Sequence, residues 1–431
     1  MSEHIIFRHA LLPDGWAENI RIEFANGVIT RIVPGVAGGR EIALPGMPNL
    51  HSHGFQRAMA GRAEYRGSGG TDSFWTWRTL MYRLALSLDP DDMQAIATLA
   101  FTEMLEGGFT SVAEFHYLHH APDGTPYADI AEMASRLVAA AAETGIDLLL
   151  LPVFYAHSGF GRQPPTEGQR RFINTLDDYE RLYRRCQTMS ATGCAPHSLR
   201  AASLEEINLL AHLNGPAPFH IHIAEQKAEV EACLAVNGTR PITYLLANAN
   251  VTRNWCLVHA THITADEAQA MTKAEAVAGL CPITEANLGD GIFPASLFNG
   301  AYGIGSDSNI LIDSARELQL LEYSQRLAQQ QRNVMARPAH PATATALYLQ
   351  AVAGGAQAMG LADGLRVGAP ANFVTIPGET PDAALAEAVF TARQPAVRDV
   401  WVRGRRVVEN GQHFLASKAR AGLAAVQCRR L

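Results

Sequence analysis

His51 and His53 close the apolar run Ile42-Ala43-Leu44-Pro45-Gly46-Met47-Pro48-Asn49-Leu50, and no other residues in the chain offer clearer chemistry. In a β-strand, residues i and i+2 face the same way, so both imidazoles project from the strand's C-terminal end, where they can grip one metal ion. Taken alone, the pair reads equally as two histidines on an exposed turn. Further ligands must come from elsewhere. Pro218-Phe219-His220-Ile221-His222-Ile223-Ala224-Glu225-Gln226 reads as a second buried strand, with His220 and His222 on one face and Glu225 just past its end. The run Trp255-Cys256-Leu257-Val258-His259 also ends in histidine, and Ala301-Tyr302-Gly303-Ile304-Gly305-Ser306-Asp307 ends in aspartate. Four strands that each end in a metal-competent or acid-base group are hard to explain as surface decoration.

The elements that hold these residues must form a sizeable protein. A chain of 431 residues can bury one large barrel domain plus a smaller one, and its 48% hydrophobic and 18% charged content is that of a globular protein. A net charge of −7, with no run of lysine or arginine, argues against nucleic acid as a partner. Six cysteines stand without a CxxC pair, which disfavours a disulfide scaffold or a structural zinc knuckle. The start of the chain lacks the pattern of a signal peptide, and no apolar stretch approaches the ~18 residues that span a bilayer, so a cytoplasmic protein without membrane association is expected.

Apolar strand-like runs at 111–115, 147–154, 193–197, 217–223, 255–259, 276–281 and 301–305 join the run before His51 to make eight. Helical stretches at 91–106, 128–144, 229–237 and 343–359 alternate with them. This order predicts an α/β (β/α)8 barrel, whose chemistry sits at the C-terminal ends of the strands, where the histidines and acids above fall. Both ends of the chain are strand-like and punctuated by turns, including an Asn26-Gly27 hairpin signal. Neither end makes a stable sheet alone. We expect residues 1–45 and 366–431 to pair into one small β-sandwich, with 46–365 as the catalytic barrel.

His51-x-His53, His222 with Glu225, His259 and Asp307 resemble the amidohydrolase superfamily, in its mononuclear deaminase branch. No lysine ends the fourth candidate strand, so the bridging carboxylated lysine of two-metal members is not implied. The stretch from Pro45 to Gly61 is similar to the first-strand motif of the formimidoylglutamate deiminase family. Glu114-Phe115-His116-Tyr117, Ala195-Pro196-His197-Ser198-Leu199-Arg200 and Cys281-Pro282-Ile283-Thr284-Glu285-Ala286-Asn287-Leu288-Gly289-Asp290-Gly291 continue the likeness over nearly the whole chain. Asn309 departs from it, standing where that family has histidine.

The resemblance implies hydrolytic deimination of N-formimino-L-glutamate to N-formyl-L-glutamate and ammonia, a reaction of histidine degradation. It implies one divalent metal ion, Zn²⁺ or else Fe²⁺, on His51, His53, His222 and Asp307. Glu225 would be the general acid-base, and His259 would hold the attacking water with Asp307. Gln56, Arg78, Tyr117, His197 and Arg200 would bind the dicarboxylate substrate, and a homodimer is expected. Without the family, Arg78 reads as a surface arginine packed on Trp75 or Trp77. His220 reads as a buried supporting histidine, and Met59, Met81 and Met104 as packing residues. His116, His119, His120 and His262 read as residues of solvated loops. Two other readings stay open: a nucleobase or nucleoside deaminase of guanine, cytosine or adenosine type, and a non-catalytic scaffold on the same fold.

Overall fold

The computed structural model describes residues 3–66, 72–393 and 395–430. Its centre is a ring of parallel strands: Met47–Ser52, Phe109–His116, Asp147–Phe154, the short pieces Ala191–Thr192 and Ala195–Pro196, Phe219–Ile223, Trp255–His259, Val277–Leu280 and Tyr302–Ile304. Nearly every residue of these strands is buried. That is why they read as continuous apolar runs and not as alternating ones, since helices cover the outside and side chains fill the inside. Bridges Cys194 to Phe219 and Ser198 to His222 join the fourth strand to the fifth. The bridge Ser52 to Asp307 closes the eighth on the first.

The fourth strand is broken because Gly193 crosses its neighbour too closely for a side chain: a Cβ there would lie 2.5 Å from the Pro218 carbonyl oxygen. The helix Thr343–Ala358 seals the foot of the barrel by a similar approach, since a Cβ on Gly354 would fall 1.9 Å from the Tyr302 carbonyl oxygen.

The two ends of the chain form one sheet of eight strands, in which Ile42–Pro45 lies between the N-terminal Glu3–Leu12 and the C-terminal Phe373–Ile376. The sheet curls into a small sandwich around Phe7, Ile20, Ile22, Phe24, Phe373 and Trp401. Its edge strand Val28–Val33 meets the approach to Phe373–Ile376, with Ile29 N–H donating to Ala369 O at 2.9 Å. The hairpin turn at Asn26-Gly27 has φ of 51° and 78°, the left-handed pair that a two-residue turn between twisted strands requires. The chain passes from sandwich to barrel at Gly46. The last element is a helix, Ala416–Arg430, which ties to the barrel through Arg429 and Arg430 on Asp92 and through Gln427 on the Ala58 carbonyl.

One expectation is corrected here. His116, His119 and His120 are buried, not solvated: His116 is the last residue of the second strand, and the loop after it folds inward against Arg171. Backbone N–H groups of His119 and His120 donate to the Arg171 carbonyl at 3.0 and 3.1 Å. His119 Nε2 donates to Val153 O and His120 Nε2 to Ile173 O, both at 2.8 Å. His262 is partly buried, its Nε2 donating to Asp290 O at 2.9 Å. Met59, Met81 and Met104 pack in the core as expected.

Burial holds His116 down at about 3 and His119 well below the usual histidine range. Their neutral forms are therefore the native ones, while the unfolded chain takes up protons below about 6.5. Stability is thus full above that pH and is lost as pH falls from about 6.5 toward 3. Between pH 7 and 5 the loss through His116 should be about 2 kcal/mol. Denaturant melts of wild type and His116→Gln at both pH values test this; the variant should lose about 2 kcal/mol less, and equal losses would contradict it.

Candidate active site

The strand ends bring four ligand atoms together. His51 Nε2 lies 3.2 Å from His53 Nε2 and 3.0 Å from His222 Nε2. Asp307 Oδ1 lies 3.4 Å from His51 Nε2 and 3.3 Å from His53 Nε2. The tautomers decide what such closeness means. His53 Nδ1 donates to the Phe115 carbonyl and His222 Nδ1 to the His197 carbonyl, each at 2.9 Å, so both Nε2 atoms turn lone pairs inward. His51 can offer at most one proton to this group, whereas a cation satisfies all four atoms. Separations of 3.0 to 3.4 Å suit groups that share one divalent ion, whose ligand bonds are about 2.1 Å.

The backbone at these strand ends is strained: Ala224, His259 and Asp307 hold φ of 51°, 67° and 45°. Each such residue costs on the order of 1–3 kcal/mol and persists only where its surroundings fix it. Asn309 helps to fix the Asp307 turn. Its Nδ2 donates to Ser52 Oγ at 3.1 Å and to the His53 and Asp307 carbonyls, both at 3.0 Å, while its Oδ1 accepts from Ser306 Oγ at 2.6 Å. Asparagine thus clamps the two ligand-bearing turns where the resemblance led us to expect histidine.

Glu225 and His259 face this cluster from one side. His259 Nε2 is 3.8 Å from Glu225 Oε1 and 3.9 Å from Asp307 Oδ2, and its Nδ1 meets Glu285 Oε1 at 3.3 Å. Burial pushes Glu225 up to about 7, against the pull of His259 and Arg200. Burial opposes charge on His259 too, but the carboxylates of Glu225, Glu285 and Asp307 outweigh it and raise the imidazole to about 10. Glu229 sets the position of Glu225 by accepting its backbone N–H at 3.1 Å and that of Ala224 at 3.3 Å. His220 points elsewhere, its Nε2 donating to Ala358 O at 2.8 Å.

A cavity opens from the cluster, and His53, Gln56, Arg78, Tyr117, His197, Arg200, His222, Glu225, His259 and Asp307 all line it. Gln56 Nε2 donates to Tyr117 Oη at 2.8 Å, while Gln56 Oε1 is buried without a partner. Burial lowers His197, beside Arg200, well below the usual histidine range and keeps it neutral. Among the described residues, neither Arg78 nor Arg200 forms an ion pair or hydrogen bond with a protein group, and Arg200 Nε is buried without a partner. Arg78 does stack on Trp75, as its surface reading foresaw, yet it also lines the cavity.

Sequence reasoning gave no role to Glu285, Glu229, Tyr155 or Glu114. Glu285 and Glu229 stand four residues after Cys281 and Glu225, at the helix starts that follow two of the strands, and that spacing was a usable signal. Glu114, quoted only as part of a motif, accepts the Gly54 N–H at 2.6 Å from inside the second strand.

The Amidohydrolase family model matches residues 42–407, so the chain belongs to the amidohydrolase family, whose members of this kind are metal-dependent hydrolases of C–N bonds. A second model, for the N-terminal domain of formimidoylglutamate deiminase HutF, matches residues 3–41. The chain is 48% identical to formimidoylglutamate deiminase from Pseudomonas aeruginosa, an alignment covering 98% of each chain. It is 27% identical over 386 residues to a 5-methylthioadenosine/S-adenosylhomocysteine deaminase from Bacillus cereus, covering 86% of this chain and 82% of that protein. Among solved structures, an amidohydrolase from Brucella melitensis superposes with a TM-score of 0.96 at 49% identity, covering 99% of both chains. A zinc-bound adenosine deaminase from Xanthomonas campestris, at 20% identity and a TM-score of 0.80, shares the fold.

Proposed function

We propose that the chain hydrolyses N-formimino-L-glutamate to N-formyl-L-glutamate and ammonia, as its relative from Pseudomonas is named for doing, within histidine degradation. One observation carries the substrate assignment: two guanidiniums that, among the described residues, make no direct ion pair or hydrogen bond to a protein group line the cavity that ends at the histidine cluster. A dicarboxylate supplies the missing partners. Arginine's planar fork suits each carboxylate better than lysine would.

His51, His53, His222 and Asp307 would hold one divalent ion, Zn²⁺ in our reading. When bound, such an ion lowers the pKa of a coordinated water to about 7 and makes it nucleophilic at neutral pH. Glu225 takes a proton from the attacking water as its oxygen bonds to the formimino carbon. The resulting tetrahedral carbon carries two nitrogens. Glu225 passes that proton to the imino nitrogen, making it an amine, and then carries the hydroxyl proton of the tetrahedral carbon to the same nitrogen; the C=O forms as that C–N bond breaks and ammonia leaves, while the C–N bond to glutamate survives. His259, kept cationic by its three carboxylate neighbours, offers Nε2–H to the attacking oxygen. Arg78 and Arg200 hold the carboxylates, while Gln56, Tyr117 and His197 line the path between them and the reacting carbon. A nucleoside or nucleobase would leave both arginines unpaired, which disfavours that reading. Free cysteines, five of them buried, suit a reducing cytoplasm.

Product analysis tests the assignment. Ammonia and N-formyl-L-glutamate should appear in equal amounts; formamide and glutamate would mean that the other nitrogen is protonated and that Glu225 is misassigned. Elemental analysis should find close to one equivalent of a divalent transition metal, lost together with activity on chelation and in His51→Ala or Asp307→Ala. Two tightly bound ions, both needed for turnover, would contradict the single site.

A further inference from the structure

Arg78 and Arg200 reach the cavity from different parts of the chain, one on the helix Phe74–Ser87 and one in the loop after the fourth strand, yet they share a support. The Arg78 guanidinium lies 4.5 Å from the centre of the Trp75 ring, and the Arg200 guanidinium lies 5.9 Å from the same ring. Tyr82, one turn further along the helix, covers Arg78 from a second side at 5.5 Å. Trp75 itself is not part of the cavity wall, and 37% of its surface is exposed. The capping box of Ser73 and Thr76 fixes the start of the helix, and Phe74 packs edge-on against Trp75 at 5.1 Å, so the ring is held.

Two like charges lining one cavity repel each other, and among the described residues no carboxylate makes a direct ion pair with either guanidinium. An aromatic face attracts both through its quadrupole and leaves their N–H edges free for a ligand. We infer that Trp75 is a positioning residue for dicarboxylate specificity, setting the spacing and orientation of Arg78 and Arg200 without touching the substrate. This rests on the dicarboxylate reading of the cavity.

The test measures steady-state kinetics of the metal-loaded enzyme on N-formimino-L-glutamate and on a neutral N-alkylformamidine, for wild type, Trp75→Phe, Trp75→Leu and Arg200→Lys. Trp75→Leu should raise KM for the dicarboxylate roughly tenfold, with kcat within about twofold and kcat/KM for the neutral amidine unchanged. Trp75→Phe, which keeps an aromatic face, should fall between wild type and Trp75→Leu, and it carries the test alone if the leucine variant does not fold. If the Trp75 variants leave KM unchanged while Arg200→Lys raises it, the positioning role is wrong and the dicarboxylate reading stands. If all variants leave KM unchanged, both fail. An equal loss on charged and neutral substrates would reduce Trp75 to a structural residue and overturn the inference.

Discussion

Glu225→Gln should lower kcat by about 10²–10⁴-fold while metal content stays at the wild-type level. Glutamine keeps the shape of the side chain and the backbone N–H bond to Glu229, so the turn that carries it should hold. Only the proton carrier is lost. The pH profile adds a second check. Burial raises Glu225, and the carboxylate form is the one that accepts the water's proton. Wild-type kcat/KM should therefore fall as pH drops through a limb lying above the ordinary carboxylate range, and the residual activity of the glutamine variant should lack that limb. Near-normal turnover in Glu225→Gln would remove Glu225 from the mechanism.

Arg200→Lys should hurt almost as much as removing the side chain. Lysine keeps a positive charge but not the delocalised two-pronged donor, and among the described residues no hydrogen bond to Arg200 would reposition a substitute. Removing one member of a buried charged hydrogen-bonded pair costs on the order of 2–5 kcal/mol, so kcat/KM for formiminoglutamate should fall by about 30-fold to several thousand-fold. A neutral formamidine should be a poor substrate for wild type and nearly indifferent to the change. A loss under about threefold on both substrates would misplace the dicarboxylate pocket and move a nucleoside deaminase ahead.

The parts of this protein that were legible in sequence are those governed by strand periodicity. The same-face rule puts His51 with His53 and sets His222 nearer the mouth than His220, and the structure shows both arrangements. The eight apolar runs became eight barrel strands because full burial leaves no alternation to confuse them with loops. Contacts made at long range and without a period were not legible. The inward fold of the His119-His120 loop depends on the carbonyl of Arg171, some fifty residues away, so these two buried histidines read as exposed. The C-terminal helix followed strand-like sequence and was absorbed into it. Trp75 read only as a surface packing partner for Arg78, because Arg200, its second partner, comes from another segment entirely. Asn309 shows the converse: a departure in sequence that looked disruptive keeps the Asp307 turn through four hydrogen bonds.

The most direct measurement is ammonia release by the metal-loaded enzyme on N-formimino-L-glutamate, compared at equal concentration with a neutral N-alkylformamidine, adenosine, guanine and cytosine. A metal-dependent hydrolase with two arginines lining its cavity should turn over formiminoglutamate at least about thirtyfold more efficiently than any of the others, as expected from the roughly 2–5 kcal/mol carried by a buried charged pair. Comparable or faster release from a nucleoside or nucleobase would contradict the account.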